Sequence, residues 1–212
     1  MRPAHHVAAL VVAVAWSGAL LAQGTPSQPP SDKAANPWAY SLTVDGYVED
    51  AYASPVFTAD HNWLHLEARY NYEDQRTGSL WAGYNFTAGK KLQLAITPMI
   101  GGVFGRTTGI APGCEVSLTY KKIAFSSAEE YVFDTTKASG SFFYSWPELT
   151  FSPVSWFRIG GVSQHTKAYH TSLNTQRGFL VGVSFKKLEF TTYIFDPELS
   201  TPTTVLEVGY NF

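Results

Sequence analysis

The sequence has little of what builds an ordinary secreted or cytosolic domain. It carries one cysteine, Cys114, so no disulfide can form within the chain. Charged residues are only 15 % of the chain, and acids outnumber bases 17 to 15. That balance removes the basic surface on which nucleic-acid binding depends. Beyond residue 22 no stretch approaches the ~18 consecutive apolar residues of a membrane-spanning helix. Helix start and stop signals are almost absent. The glycine-rich "GGVFGRTTGIAPG" lacks the Gly-Lys-Ser/Thr ending of a phosphate loop and reads as a strand end followed by an external loop. No Gly-x-Ser-x-Gly nucleophile elbow occurs.

What is present begins at the amino end. "MRPAHHVAALVVAVAWSGALLAQG" has a basic start, an apolar run from Val7 to Leu21 and small residues before Gln23. This is the layout of a signal peptide, residues 1–22, with cleavage after Ala22. Its removal takes Arg2 and no acid, so the remaining chain is slightly more acidic. Segment 23–37, rich in Pro, Ser and Gln, reads as a flexible linker.

From Trp38 onward the chain alternates. Aromatics make up 15 % of the sequence, and Val, Thr, Tyr, Phe and Trp recur with a period of two between Gly, Pro, Asn and Lys-Lys punctuation. The pattern predicts about twelve strands, near 40–48, 52–59, 62–72, 78–87, 91–102, 113–122, 123–134, 141–152, 155–167, 177–186, 188–196 and 203–212. Segment 52–59 carries the weakest signal. A membrane barrel of one chain normally has an even strand number, so ten is the alternative.

A soluble β-sandwich and a transmembrane barrel could both use such strands. Three features favour the barrel. The less apolar face of each strand is Gly, Ser, Thr, Asn and Gln with an occasional charge, which suits a crowded polar lumen. Aromatics gather at strand ends, as interfacial girdles require. The chain also ends on the strand-like "VLEVGYNF", with Leu206, Val208, Tyr210 and Phe212 on one face. A last strand is natural where the first strand must pair with it, because open edges do not survive in lipid.

This ending, "LEVGYNF" after a signal peptide, resembles the terminal strand of bacterial outer-membrane β-barrels. The resemblance is to the class and spans residues 38–212. It implies an all-β, antiparallel up-and-down transmembrane barrel located in the outer membrane, with outer-membrane lipid and the barrel assembly machinery as partners. It also implies that Tyr210 and Phe212 serve as interface anchor and assembly signal. Phe212 then sits at the periplasmic side. The turns at Asp60–Asn62, Ala88–Lys91, Lys121-Lys122, Ser152–Ser155 and Lys186-Lys187 are periplasmic. Longer connections near 73–77, 103–112, 135–140, 168–176 and 197–202 are external. Three Lys-Lys pairs fall on the inner side, where they suit both exposed turns and anionic headgroups.

Alternation then assigns the lumen. Asp45, Glu67, Arg69, Glu115, Glu148, Arg158, Glu189 and Glu207 share the inward parity, subject to bulges at Pro98 and Pro147. Closure sets the first and last strands side by side, so Arg69 is expected to bridge Glu67 and Glu207. Two functions fit such a network: a structural plug of ion pairs, or a narrow pathway for ions or small solutes. A lipid-acting enzyme is a third class, since His165 and His170 fall near the outer rim with Ser163 and Ser172 close by. No motif supports it, and no third ligand makes His165 and His170 a metal site. No cofactor, metal or catalytic residue is expected, and the chain is not read as an enzyme.

The reading of Phe212 generates a test. Phe212→Ser should lower the amount of heat-modifiable barrel in outer membranes several-fold. Phe212→Trp should assemble nearly normally, and so should Glu207→Ala, further back on the last strand. Equal outer-membrane levels of the Ser and Trp variants would show that the terminal ring is not read.

Overall fold

A computed structural model describes residues 38–168 and 172–212. The expected signal peptide and linker, and His170, lie outside the described residues. The chain forms strands β1 (Ala39–Tyr47), β2 (Tyr52–His61), β3 (Leu64–Tyr70), β4 (Thr77–Tyr84), β5 (Phe86–Ala88), β6 (Leu92–Gly105) and β7 (Gly109–Tyr120). There follow β8 (Ile123–Asp134), β9 (Phe142–Val154), β10 (Phe157–Ala168), β11 (Asn174–Phe185), β12 (Leu188–Phe195) and β13 (Thr203–Asn211), with one 3-10 turn at Ala138–Gly140. No helix among the described residues is long and apolar enough to cross a membrane.

Every pairing is antiparallel, and the sheet closes. β1 lies between β2 and β13, with Asp45 opposite Glu207 and Val44 opposite Val208. The Phe212 amide donates to the Tyr40 carbonyl at 3.0 Å and completes the seam. β4 and β5 both pair with β6 in one continuous register, Gly83 opposite Met99 and Phe86 opposite Ile96. They are one stave broken at Asn85, so the barrel has twelve staves. The segment with the faintest sequence signal, β2, is paired along both sides.

Three details differ from expectation. The ladder runs evenly through Pro98 and Pro147, and the register shift falls instead between Phe157 and Ile159, against β9. The glycine-rich stretch is not a long loop: only 106–108 connects β6 to β7. Val103 and Ala111 are buried inside while Phe104 and Ile110 stand exposed outside. Alternation therefore continues to the barrel rim, and the paired ladder continues with it. Likewise β9 reaches Val154, which moves the following turn to 155–156.

The end that holds Trp38 and Phe212, here the inner end, has short turns at 62–63, 89–91, 121–122, 155–156 and 186–187. Hairpin turns of the primed types place their first residue in the left-handed region, and Lys121 (φ +54°) and Lys186 (φ +57°) occupy it. Lys121 Nζ lies 5.3 Å from the Tyr120 ring and Lys186 Nζ 5.4 Å from the Phe185 ring. Such lysines reach water over an aromatic collar. Trp63, Tyr84 and Phe86 continue the collar, with ring centroids 5.3 and 4.4 Å apart. At the opposite rim Glu49 accepts the Thr204 amide at 2.8 Å, and this bond holds its carboxyl below the usual range. Asp74 there binds Arg106 and Thr107.

The outer wall is apolar. Leu80, Ile100 and Leu149 expose 59 %, 60 % and 57 % of their surface. An apolar belt of this extent needs lipid against it. The inside has two storeys. In the half away from the termini, Trp81, Met99, Val103, Ala111 and Val132 pack on one wall, with Phe142 against them. Val162, Leu180, Tyr193, Phe195 and Val205 pack on the other. Val132, Leu180, Phe195 and Val205 have no exposed surface although their backbones line the barrel. That half is a filled core, as small barrels permit.

This core predicts an inversion of the usual soluble rule. Phe195→Ala should destabilise by about 3–5 kcal/mol, because a cavity opens in a packed lumen. Lipid-facing Phe179→Ala should cost clearly less, since acyl chains fill the gap. Urea unfolding from lipid vesicles, followed by tryptophan fluorescence, compares the two; equal losses would place Phe195 outside a packed core.

Candidate lumenal site

The barrel brings all the sequence-assigned lumen residues inside, but as two clusters rather than one network. The first is centred on Arg69 of β3. Its Nε donates to Glu67 Oε2 at 2.5 Å and one terminal nitrogen donates to Glu130 Oε2 at 2.9 Å. That nitrogen also lies 3.8 Å from Glu73. The guanidinium carbon lies 4.5 Å from the Tyr72 ring centroid and 4.5 Å from that of Trp81. Arginine suits this seat because its planar fork can pair with several carboxylates while stacking. Trp81 can lie across the lumen because Gly101 faces it: a Cβ there would sit 2.4 Å from the indole. The indole Nε1 donates to Ser79 at 2.9 Å and to Glu73 at 3.2 Å.

Arg69 does not reach Glu207. Two staves, β1 and β2, separate them. The aromatic sandwich and Glu130 turn Arg69 toward β8 instead. The Glu207 partner is Arg158 of β10, at 3.2 Å, with Glu148 at 4.0 Å. Thr191 donates to Glu207 at 2.8 Å and Tyr193 at 3.1 Å. Arg158 crosses the β11 backbone at Gly182, where a Cβ would meet the arginine Nε at 2.6 Å. Glu189 lines the same side. Asp45 stands on the seam between the clusters, with Oδ1 buried and unpartnered.

Sequence reasoning left out several members. His65, two residues before Glu67, shares its parity and could have been found. Its Nδ1 lies 2.8 Å from Asp60 and its Nε2 2.7 Å from Glu67. Glu130 also shares the inward parity, opposite to that of Phe125, Tyr131 and Phe133. Tyr72 and Glu73 belong to the connection after β3, which turns back into the barrel, and no strand alternation announces that. The residues considered for catalysis lie elsewhere. His165 and Ser163 lie on β10, in the strand expected there, and His165 pairs with Ser145 and Thr175. Alternation puts them on the opposite face from Val162 and Glu148.

Beneath the packed half lies a cavity of about 720 Å³. It reaches the inner end at Phe86, Lys186, Lys187 and Asn211, and its far end is bounded by Tyr72, Tyr144, Trp146 and Tyr193. Tyr72 and Tyr144 meet edge to face at 5.7 Å. Seven carboxylates line it: Asp45, Asp60, Glu67, Glu115, Glu148, Glu189 and Glu207. Its basic lining residues are His65 and the two lysines at the mouth. The inner half is thus an acid-lined cup under an aromatic roof.

No protein-family profile and no curated protein sequence matches the chain. Solved structures do. A KdgM porin in complex with disordered oligogalacturonate aligns with TM-score 0.58 at 12 % identity, over 82 % of this chain and 99 % of that one. A second KdgM porin structure gives 0.56 at 11 %, with the same coverage. The fold is therefore that of porin-type bacterial outer-membrane β-barrels.

The Arg69 cluster yields a measurable consequence. Arg69→Met strands Glu67, Glu73 and Glu130 together and should cost about 3–5 kcal/mol. Adding Glu130→Gln should restore part of the loss. Thermal unfolding, read from the gel-mobility shift on heating, measures both. A single variant as stable as the parent would mean that the guanidinium does not balance these acids.

Proposed function

We propose that this chain is an outer-membrane channel for small solutes that prefers cations and uncharged solutes over anions. The carrying observation is the excess of carboxylates in the cup, seven against one histidine and two rim lysines. Fixed charge of one sign along low-dielectric walls concentrates ions of the other sign. The likeness to KdgM porins supports a channel over an enzyme. The neighbour that carries oligogalacturonate holds a polyanion, and the wall described here repels one. The preference thus rests on this chain's own lining.

The aromatic roof and the packed half above it make this a closed form. Passage requires the connection carrying Tyr72 and Glu73 to shift, since Tyr72 closes the far end of the cup together with Tyr144. Its ties include the Asn71 Nδ2 bond to the Ala53 carbonyl, at 2.9 Å, the Asp74–Arg106 pair, and the bonds of Ser79 and Trp81 to Glu73.

Folded protein in planar bilayers under a salt gradient tests the reading. The reversal potential should have the cation-selective sign, and Asp45→Asn combined with Glu189→Gln should move it toward zero. Anion selectivity, or no conductance from heat-modifiable protein, would overturn it.

A further inference from the structure

We propose that His65, Glu67 and Glu115 form a binding site for a divalent first-row transition cation, of the zinc or manganese kind, on the wall of the cup. The inference rests on the acid-lined lumen described above and deepens it by naming a guest. One ligand atom from each of the three residues lies within 4.8 Å of the others. A cation with bonds of ~2.0–2.2 Å holds neighbouring ligands roughly 3.3–3.5 Å apart, so modest side-chain rotation closes the set.

The imidazole is prepared as a ligand. Asp60 Oδ1 takes the Nδ1 side of the ring at 2.8 Å. The same oxygen accepts Asn85 Nδ2 at 2.7 Å, and Thr97 donates to Asn85 Oδ1 at 2.7 Å. A chain anchored on three staves therefore fixes the ring and leaves Nε2 facing the carboxylates. A carboxylate behind a histidine is the usual outer support of a metal-binding imidazole. Without metal, Nε2 and Glu67 Oε1 share a proton at 2.7 Å; a cation takes that proton's place.

An independent observation is that acids outnumber the positive charge on this wall. Arg69 is divided among Glu67, Glu73 and Glu130. Glu73 Oε2 and Glu130 Oε1 stay buried without any hydrogen-bond partner. Glu115 makes no ion pair among the described residues. A bound dication offsets this excess where it is least solvated. The nitrogen donor and the small ligand number select against calcium and magnesium, which take oxygen ligands or keep their water. The site is open to the cup, as Glu115, Glu67 and His65 all line it, and three protein ligands leave a position for water.

Equilibrium dialysis of the full chain, folded in detergent micelles, against Zn²⁺ and Mn²⁺ tests the site. One ion should bind per chain, and a hundredfold excess of Ca²⁺ should not displace it. Glu115→Gln and His65→Asn should each weaken Zn²⁺ binding by at least about tenfold, and Asp60→Asn by about tenfold through the orientation of the ring. The heat-shifted gel mobility of each variant separates lost binding from lost fold. Absence of saturable Zn²⁺ binding by the folded parent, equal affinity in Glu115→Gln, or displacement by equimolar Ca²⁺ would overturn the proposal. Ion selectivity in bilayers is read separately, so a cation-selective channel that binds no Zn²⁺ would end this inference and leave the channel reading standing.

Discussion

The structure depends on closure. Lipid offers no hydrogen-bond partner to an open sheet edge, so β13 must find β1, and the seam from Tyr47 opposite Val205 to Ser41 opposite Asn211 satisfies both. Once the ring is closed, strand alternation has only two environments to choose between. The outward set must be apolar. The inward set must fill a tube of fixed width. Everything else, including which charges meet, follows from which side chains this register sends inward and at what height.

Inside, the decisive fact is that cations are scarce. The barrel supplies Arg69 and Arg158 as the guanidinium groups of its interior and seats each beside a glycine that makes room for it or for its stacking partner. Each arginine gathers acids from several staves, which ties distant strands together more firmly than one isolated pair could. The remaining carboxylates face the cup, where water can reach them. Burial still costs them: Asp45 Oδ1 is buried without a partner, and Glu67 and Glu148 are nearly enclosed.

Much of this was legible beforehand, for a physical reason. A period of two is a strong signal when one face must be apolar, so strand number, seam and the inward parity of Asp45, Glu67, Glu115, Glu189 and Glu207 could be read directly. Pairings between side chains on different staves could not. Arg69 was assigned to Glu207 because the first and last strands are neighbours, yet its direction is set by Trp81 and by Tyr72, which lies in a connection without periodicity. The glycine-rich segment misled because glycine marks loops in general, whereas Gly101 serves a strand by accommodating a ring. Histidine near serine at the rim suggests hydrolase chemistry, whereas His65 lies within the inward parity of β3 beside Glu67.

The two-storey interior also has an electrical meaning. A water-filled cup conducts, and a packed apolar layer does not. A voltage across the membrane therefore falls almost wholly over the layer that contains Val132, Leu180, Phe195 and Val205. The cup and its carboxylates stay close to the potential of the compartment they open on, and a cation resting there has crossed little of the field. The roof of Tyr72 and Tyr144 lies at the boundary. It is the part of the molecule where a small movement changes how the whole voltage is distributed.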